Sequence, residues 1–249
     1  MSKRPRQSQL SSFFHKARDV KPFKKNKENE KIESSDELAE YLATELNGKP
    51  NYLTPEGASW ILHIKRWFPS PNESEFQAEW NLHPMHRKKI TVFGRRVEEK
   101  RWSQAWGKAI SYSGLKNEAL DIHDGSNTVP TLLKNINILM EDSPLQKGDQ
   151  YNACLQNWYE PESTMGLHSD DEAYLRATFP IFSVSWGGSR RFLLRSKSSN
   201  EIKEFWLDDG DLLVMGGTTQ KTHKHEVPKH RQKDASTSNR INWTIRAVA

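Results

Sequence analysis

Three side chains in the last third of the chain have the donor types of a metal centre: His168 and Asp170, two residues apart, and a histidine in the downstream run His223-Lys-His225. Two imidazole nitrogens and one carboxylate on one side of a metal leave the opposite positions open, the facial arrangement of non-haem Fe(II) oxygenases. On an extended segment residues i and i+2 share a face, so His168 and Asp170 can reach one ion while Ser169 points away. His223 and His225 share a face in the same way. His225, followed by Glu-Val-Pro228, is the better candidate, with His223 as a supporting or pocket-wall group.

The chain then ends in Arg240-Ile-Asn-Trp-Thr-Ile-Arg246, where Arg240, Asn242, Thr244 and Arg246 alternate with Ile241, Trp243 and Ile245. This period of two describes one strand with a polar face carrying two guanidinium groups and an apolar face for packing. Two arginines turned into a barrel require an anion. Beside an Fe(II) site the fitting anion is 2-oxoglutarate, a dicarboxylate that planar arginine forks grip bidentately.

These residues need a rigid, mostly β scaffold, and the patterning supplies one. Runs of β type fall at 153–159, 180–186, 190–195, 202–207, 211–215 and 240–248. Ahead of them, Ser34-Ser-Asp-Glu37 marks a helix start before Leu38, Tyr41 and Leu42. Thr54-Pro-Glu56 predicts a second helix with Trp60, Ile61 and Ile64 inward, and residues 128–142 predict a third. Helices followed by many short strands predict an α+β chain whose catalytic part is a double-stranded β-helix, or jelly roll, with the N-terminal helices packed outside it. The expected organisation is a basic disordered tail over 1–33 and one catalytic domain over 34–249. That domain divides into a helical and nucleotide-recognition part, 34–150, and a jelly-roll part, 151–249. The lone Cys154 excludes an internal disulfide and suits a reducing compartment. No apolar run approaches the ~20 residues of a bilayer span, so no membrane partner is expected.

At these motifs the sequence resembles the AlkB-type Fe(II)/2-oxoglutarate dioxygenases, which oxidatively dealkylate nucleobases. The matching pieces are Cys154-Leu-Gln-Asn-Trp-Tyr159, Met165-Gly-Leu-His-Ser-Asp-Asp-Glu172, Phe182-Ser-Val-Ser-Trp-Gly187, Gly210-Asp-Leu-Leu-Val-Met215, His225 with Val227-Pro228, and the Arg-x-Asn-x-Thr-x-Arg ending. The resemblance implies that His168, Asp170 and His225 ligate Fe(II) and that Asn157, Tyr159, Arg240, Asn242 and Arg246 hold 2-oxoglutarate, with O₂ as the oxidant. It departs at His223, where the family commonly has an aromatic or other bulky residue. Val92-Phe93-Gly94 resembles the hydrophobic finger that some duplex-acting relatives push into the gap left by a flipped base. A core-facing strand is the alternative for Val92 and Phe93. Tyr112 matches a base-stacking position, with Asp171 and Glu172 as acceptors for the base's exocyclic amine.

Charge points to the same class of partner. Residues 1–33 hold ten basic and four acidic side chains, whereas the rest of the chain is nearly neutral. Residues 87–108 carry eight lysines or arginines, interleaved with Phe93, Trp102 and Trp106. Basic groups for phosphates and aromatics for bases compose a nucleic-acid groove. In the tail, Gln7, Leu10, Phe13 and Phe14 have the spacing of a PIP box, the peptide that docks on the replication clamp PCNA. One 3₁₀ turn brings its apolar positions to one side. The expectation is a monomeric nuclear enzyme dealkylating DNA bases and recruited through PCNA. An RNA demethylase of the same mechanism is the alternative, and a non-enzymatic module at replication forks the reading from another class.

Overall fold

The computed structural model describes residues 35–92, 94–112, 115–143, 145, 150–229 and 238–249. The Gln7, Leu10, Phe13 and Phe14 motif, the rest of the tail, and Phe93 lie outside the described residues, as does the side chain of Val92.

Sixteen strands and four helices follow one another among the described residues. The helices are α1 (Ser35–Glu45), α2 (Glu73–Trp80), α3 (Thr128–Met140) and the single turn α4 (Thr219–Thr222). The first eight strands are β1 (Pro50–Tyr52), β2 (Ser59–Ile64), β3 (Lys89–Val92), β4 (Arg95–Glu98), β5 (Trp102–Gly107), β6 (Ile110–Tyr112), β7 (Leu115–Asn117) and β8 (Ala119–Leu120). The second eight are β9 (Ala153–Tyr159), β10 (Met165–His168), β11 (Ile181–Gly187), β12 (Arg190–Ser196), β13 (Ile202–Leu207), β14 (Leu212–Gly217), β15 (His223–Val227) and β16 (Arg240–Arg246).

The strands form a large sheet, ordered β1-β2-β14-β11-β16-β9-β5-β8, and a smaller one, ordered β10-β15-β12-β13. Their inner faces meet in a shared apolar cluster: Ile61, Tyr159, Leu213 and Met215 from the large sheet, Phe192, Leu194, Leu207 and Val227 from the small one. That is the jelly roll the strand pattern predicts, and the chain is mostly β. Two further hairpins, β3-β4 and β6-β7, stand outside the two sheets.

The central strands of the large sheet, β14, β11, β16 and β9, are buried on both faces. Trp60, Trp106, Trp158 and Trp243 are each almost fully buried on its outer side, in phase opposite to the polar residues of β16. Helix α1 packs on that side, with the Trp60 indole donating to the Ser35 carbonyl at 3.0 Å. Helix α2, which the periodicity does not announce, is set by a capping box. Asn72 Oδ1 accepts from the Glu75 amide at 2.9 Å, and the Glu75 carboxylate accepts from the Asn72 amide. Its buried Glu79 accepts from Ser126 Oγ, the Thr128 amide at the start of α3, and Gln156 of β9.

The helix expected from Thr54 is absent. Residues 54–57 make a turn closed by Gly57 N to Thr54 O at 3.0 Å, with Gly57 at φ 73°, and Trp60, Ile61 and Leu62 continue as the buried strand β2. Trp60 and Ile61 are both fully buried because the two faces of the strand are covered, not because one helical face turns inward. A short apolar run covered on both sides has no period to distinguish strand from helix.

Candidate metal centre and cosubstrate pocket

His168 ends β10 and His225 lies on β15. The antiparallel register pairs them directly, so their rings sit 4.1 Å apart between centroids. Asp170 follows two residues later, its amide donating to Gln220 Oε1 at 2.9 Å. One donor atom from each of His168, Asp170 and His225 lies within 4.8 Å of the other two. His223 is not in this group: it occupies the end of β15 opposite Ser196, and its Nδ1 bonds Thr222 Oγ1 at 2.8 Å. Ser169 turns away as the spacing predicts, donating to the His223 carbonyl at 2.9 Å.

The second contacts of the triad orient its donors. His168 Nδ1 donates to the Gly166 carbonyl at 2.9 Å, which leaves the Nε2 lone pair facing Asp170 Oδ1, 3.7 Å away. Asp170 Oδ2 takes Arg246 Nη2 at 2.8 Å, so its other oxygen is the one turned to the histidines. Burial opposes the Asp170 charge, yet Arg246, then His225 and His168, hold its carboxyl well below the usual range. Burial, reinforced by His168, pushes His225 down to about 3, and burial lowers His168 as well. Both imidazoles are therefore neutral and the carboxylate ionised at neutral pH, the protonation state metal ligation requires.

The polar face of β16 continues the site. Arg240, Asn242, Thr244 and Arg246 are all buried and line a cavity of about 280 Å³ together with the triad. On β9, Tyr159 and Asn157 stand opposite Arg240 and Asn242, completing the same floor. The two arginines differ. Arg246 is neutralised by Asp170, whereas Arg240, 2% exposed, donates from Nη2 to Ser185 Oγ at 2.9 Å, lies 5.1 Å from the Tyr159 ring centroid, and has no carboxylate partner among the described residues, its Nε and Nη1 being buried. Burial lowers Arg240 to about 10, opposed by Tyr159 and aided by Arg190. A buried cation without a counter-ion costs several kcal/mol, a cost that a ligand carboxylate offsets. His225 Nδ1 is likewise buried and unpartnered among the described residues. Two neutral imidazoles and an ionised carboxylate beside an unneutralised guanidinium thus fit an iron ion and a carboxylate cosubstrate.

Tyr112, Asp171 and Glu172, the residues expected to meet a base, line the same cavity. Burial and the neighbouring Asp170 raise the Glu172 carboxyl. Gly94 closes the β3–β4 turn at φ 75° with open space around it, and Arg95, Arg96, Val97 and Glu98 are exposed. This hairpin stands outside the two sheets, and the side chains of Val92 and Phe93, on which the wedge and core-facing readings differ, lie outside the described residues. The basic segment is not uniform, however. Arg101 is 3% exposed and lines the cavity, bonded to Glu99 at 2.9 Å and to Asn157 Oδ1 at 2.8 Å, so it is no phosphate contact. Trp106 is buried in the sheet, and Trp102 is sandwiched between His83 and Arg87, so neither ring is free for a base. Arg101 and Glu99 carried a signal that charge counting passes over: Glu99, Arg101, Ser103 and Ala105 are in phase, alternating with Trp102, Gln104 and Trp106.

Fold and site together define an oxygenase of the metal-plus-organic-acid class. Residues 49–246 match the model of the 2OG-Fe(II) oxygenase superfamily, and the chain belongs to it. The family takes Fe(II), 2-oxoglutarate and O₂, and its relatives here are of the AlkB type. DNA oxidative demethylase ALKBH2 of Arabidopsis thaliana is 28% identical over 217 residues, 76% of this chain and 66% of that protein. Alpha-ketoglutarate-dependent dioxygenase alkB homolog 3 of Rattus norvegicus is 36% identical over 111 residues, 41% of this chain and 37% of that one. The chain thus matches at most about two thirds of the length of either relative. The solved structure of OsALKBH1 shares the fold, with a TM-score of 0.50 and 18% identity across 80% of this chain and 99% of that chain.

Proposed function

We propose that the chain oxidatively dealkylates N-alkylated bases in DNA, using Fe(II) held by His168, Asp170 and His225 and 2-oxoglutarate held by Arg240 with Tyr159, Asn157, Asn242 and Arg246. The observation that carries the reading is the unneutralised Arg240 guanidinium in the cavity of the His-Asp-His cluster. When bound, iron and 2-oxoglutarate supply the oxidation of the N-alkyl carbon by O₂, with succinate and CO₂ as co-products; the hydroxylated product collapses to an aldehyde and the restored base. The protein's part is to position and to shield. Arg240 neutralises a cosubstrate carboxylate, Arg246 holds Asp170 ionised and singly presented, and Met165, Phe192 and Val227 close the cavity wall against water.

The nucleic-acid assignment is supported by the exposed Arg95 and Arg96 on the β3–β4 hairpin, by Tyr112, Asp171 and Glu172 lining the cavity, and by the name of the Arabidopsis relative. The wedge that enters the gap left by the flipped base is assigned to Val92, Phe93 and Gly94 from their place in the sequence where β3 gives way to β4 and from the family resemblance. Recruitment to PCNA in the nucleus through Gln7, Leu10, Phe13 and Phe14 belongs to the same proposal and rests on motif spacing.

Aldehyde release from methylated single-stranded DNA, duplex DNA and RNA, measured side by side, tests the reading. DNA turnover is expected, with Phe93→Ala losing far more activity on duplex than on single strands. Turnover confined to RNA would make the chain an RNA demethylase, and none on any of the three would overturn the reading.

A further inference from the structure

The floor of the pocket and the root of the hairpin are joined by one buried carboxylate that lies outside the cavity lining. Glu99, directly after β4, is 2% exposed, and its amide closes the base of the hairpin by donating to the Lys88 carbonyl at 2.8 Å. Its side chain takes three partners: Arg101 Nη1 at 2.9 Å, Ser103 Oγ at 2.8 Å and the Tyr112 hydroxyl at 2.8 Å. Two of these partners, Arg101 and Tyr112, line the cavity.

From Arg101 the chain of bonds continues inward. Its Nε donates to Asn157 Oδ1 at 2.8 Å, and Asn157 Nδ2 meets Asn242 Oδ1 at 3.4 Å, which also accepts from Thr244 Oγ1 at 3.1 Å. On the other side, the Tyr174 hydroxyl clamps β6 through both the amide and the carbonyl of Ser111, at 3.0 and 2.8 Å. The ring of Tyr112 is therefore held at its hydroxyl by Glu99, and the backbone of the residue before it, Ser111, is held by Tyr174. Although burial works against its charge, Tyr159, Tyr112 and Glu99 keep the Arg101 guanidinium above its ordinary value.

We propose, resting on the nucleobase reading above, that Glu99 is a positioning residue for base recognition, fixing Tyr112 and Arg101 as the wall against which an alkylated base is held and tying that wall to the root of the DNA-binding hairpin. A carboxylate with three donors and no exposure has a single stable placement, so its partners inherit that placement. A substrate base then meets a ring already in position and the ordering cost is not incurred on binding. Because Glu99 does not line the cavity, its influence passes through the two groups that do.

Binding, not turnover, separates this from a general structural role. Protein loaded with Mn(II) and 2-oxoglutarate without O₂ is titrated into fluorescent single-stranded oligonucleotides of one sequence, with and without one N-methylated base. Wild type is expected to prefer the methylated strand. Glu99→Gln, near-isosteric but uncharged, is expected to lose about tenfold or more of that preference, the scale of a lost charged hydrogen bond, with affinity for the unmodified strand within about twofold. Tyr112→Phe removes one hydroxyl and guards against misfolding of the first variant. It is expected to lose part of the same preference, and the double variant to lose no more than the larger single. An unchanged preference in Glu99→Gln, or additive losses in the double variant, would overturn the positioning role. A wild type without preference for any methylated strand would instead overturn the nucleobase reading beneath it.

Discussion

The inner face of β16 and the β3–β4 hairpin both display paired arginines, in opposite settings. Arg240 and Arg246 are at most 5% exposed and sit on a strand paired on both sides; Arg95 and Arg96 stand exposed on a two-stranded hairpin. A buried guanidinium needs a fixed anion, and each has one built or provided for: Asp170 for Arg246, the cavity for Arg240. An exposed guanidinium is screened by salt and binds any polyanion at low cost. Selectivity for the small acid is thus written into the sheet. Under the proposed function, attraction for nucleic acid falls to the exposed pair and discrimination among bases to the residues between the two regions.

The comparison is tested first where the effect is largest. His168→Ala or His225→Ala should abolish turnover while leaving the melting temperature nearly unchanged, because the apolar cluster between the sheets does not include them. Asp170→Ala should abolish turnover and also lower the melting temperature, since it leaves Arg246 buried without its counter-ion. Loss of turnover by His223→Ala with His225→Ala still active would contradict the ligand set. Next, reversing charge with Arg95→Glu and Arg96→Glu should weaken oligonucleotide binding about tenfold or more at low ionic strength, a deficit that shrinks as salt rises. Affinity for 2-oxoglutarate should be unaffected; a parallel loss of both would mean that the two regions are not separable.

The smallest effect concerns neither region. Asp211, buried beneath His63 and Lys65 at 2.9 Å each, has its carboxyl held at about 2, since the hydrogen bonds from His63, Asp208 N, Lys65 and Arg66 N outweigh the burial that raises it. A folded value below the unfolded ~3.9 gives stability present above about pH 4 and lost as pH falls through about 2, amounting to about 2 kcal/mol at pH 7. Asp211→Asn should therefore lower stability at pH 7 by that order, with the gap to wild type closing near pH 2, and leave both binding affinities intact. A gap that persists at pH 2 would show that the loss is one of packing and not of charge.

What the sequence made legible follows the same division. Period-two alternation over 240–246 placed Arg240 and Asn242 on one inward face. Asn157 and Tyr159 came from the family resemblance, with a spacing of two that agrees with one face, and the structure has all four there, since a strand in mid-sheet has no freedom to turn. The i, i+2 spacing of His168 and Asp170 served equally well. Spacing left His223 and His225 open, and the cross-strand register of β10 with β15 decided between them. Helix α2 was missed because an eight-residue helix with mixed polarity is announced only by its Asn72 cap. Strand β2 was read as a helix because a run buried on both faces has no polar phase. Among the eight basic residues of 87–108, charge alone could not separate the buried Arg101 from the exposed Arg95 and Arg96; the in-phase acid at Glu99 was the overlooked sign.

The central claim is that one buried face holds a metal and a dicarboxylate together, and calorimetric titration of 2-oxoglutarate into protein loaded with Mn(II) tests it most directly. One equivalent should bind to the wild type, only when the metal is present. Arg240→Ala should weaken binding by about 2 to 5 kcal/mol, and Arg240→Lys should recover only part, lacking the planar fork. Equal affinity in wild type and both variants, or full binding without metal, would contradict the account.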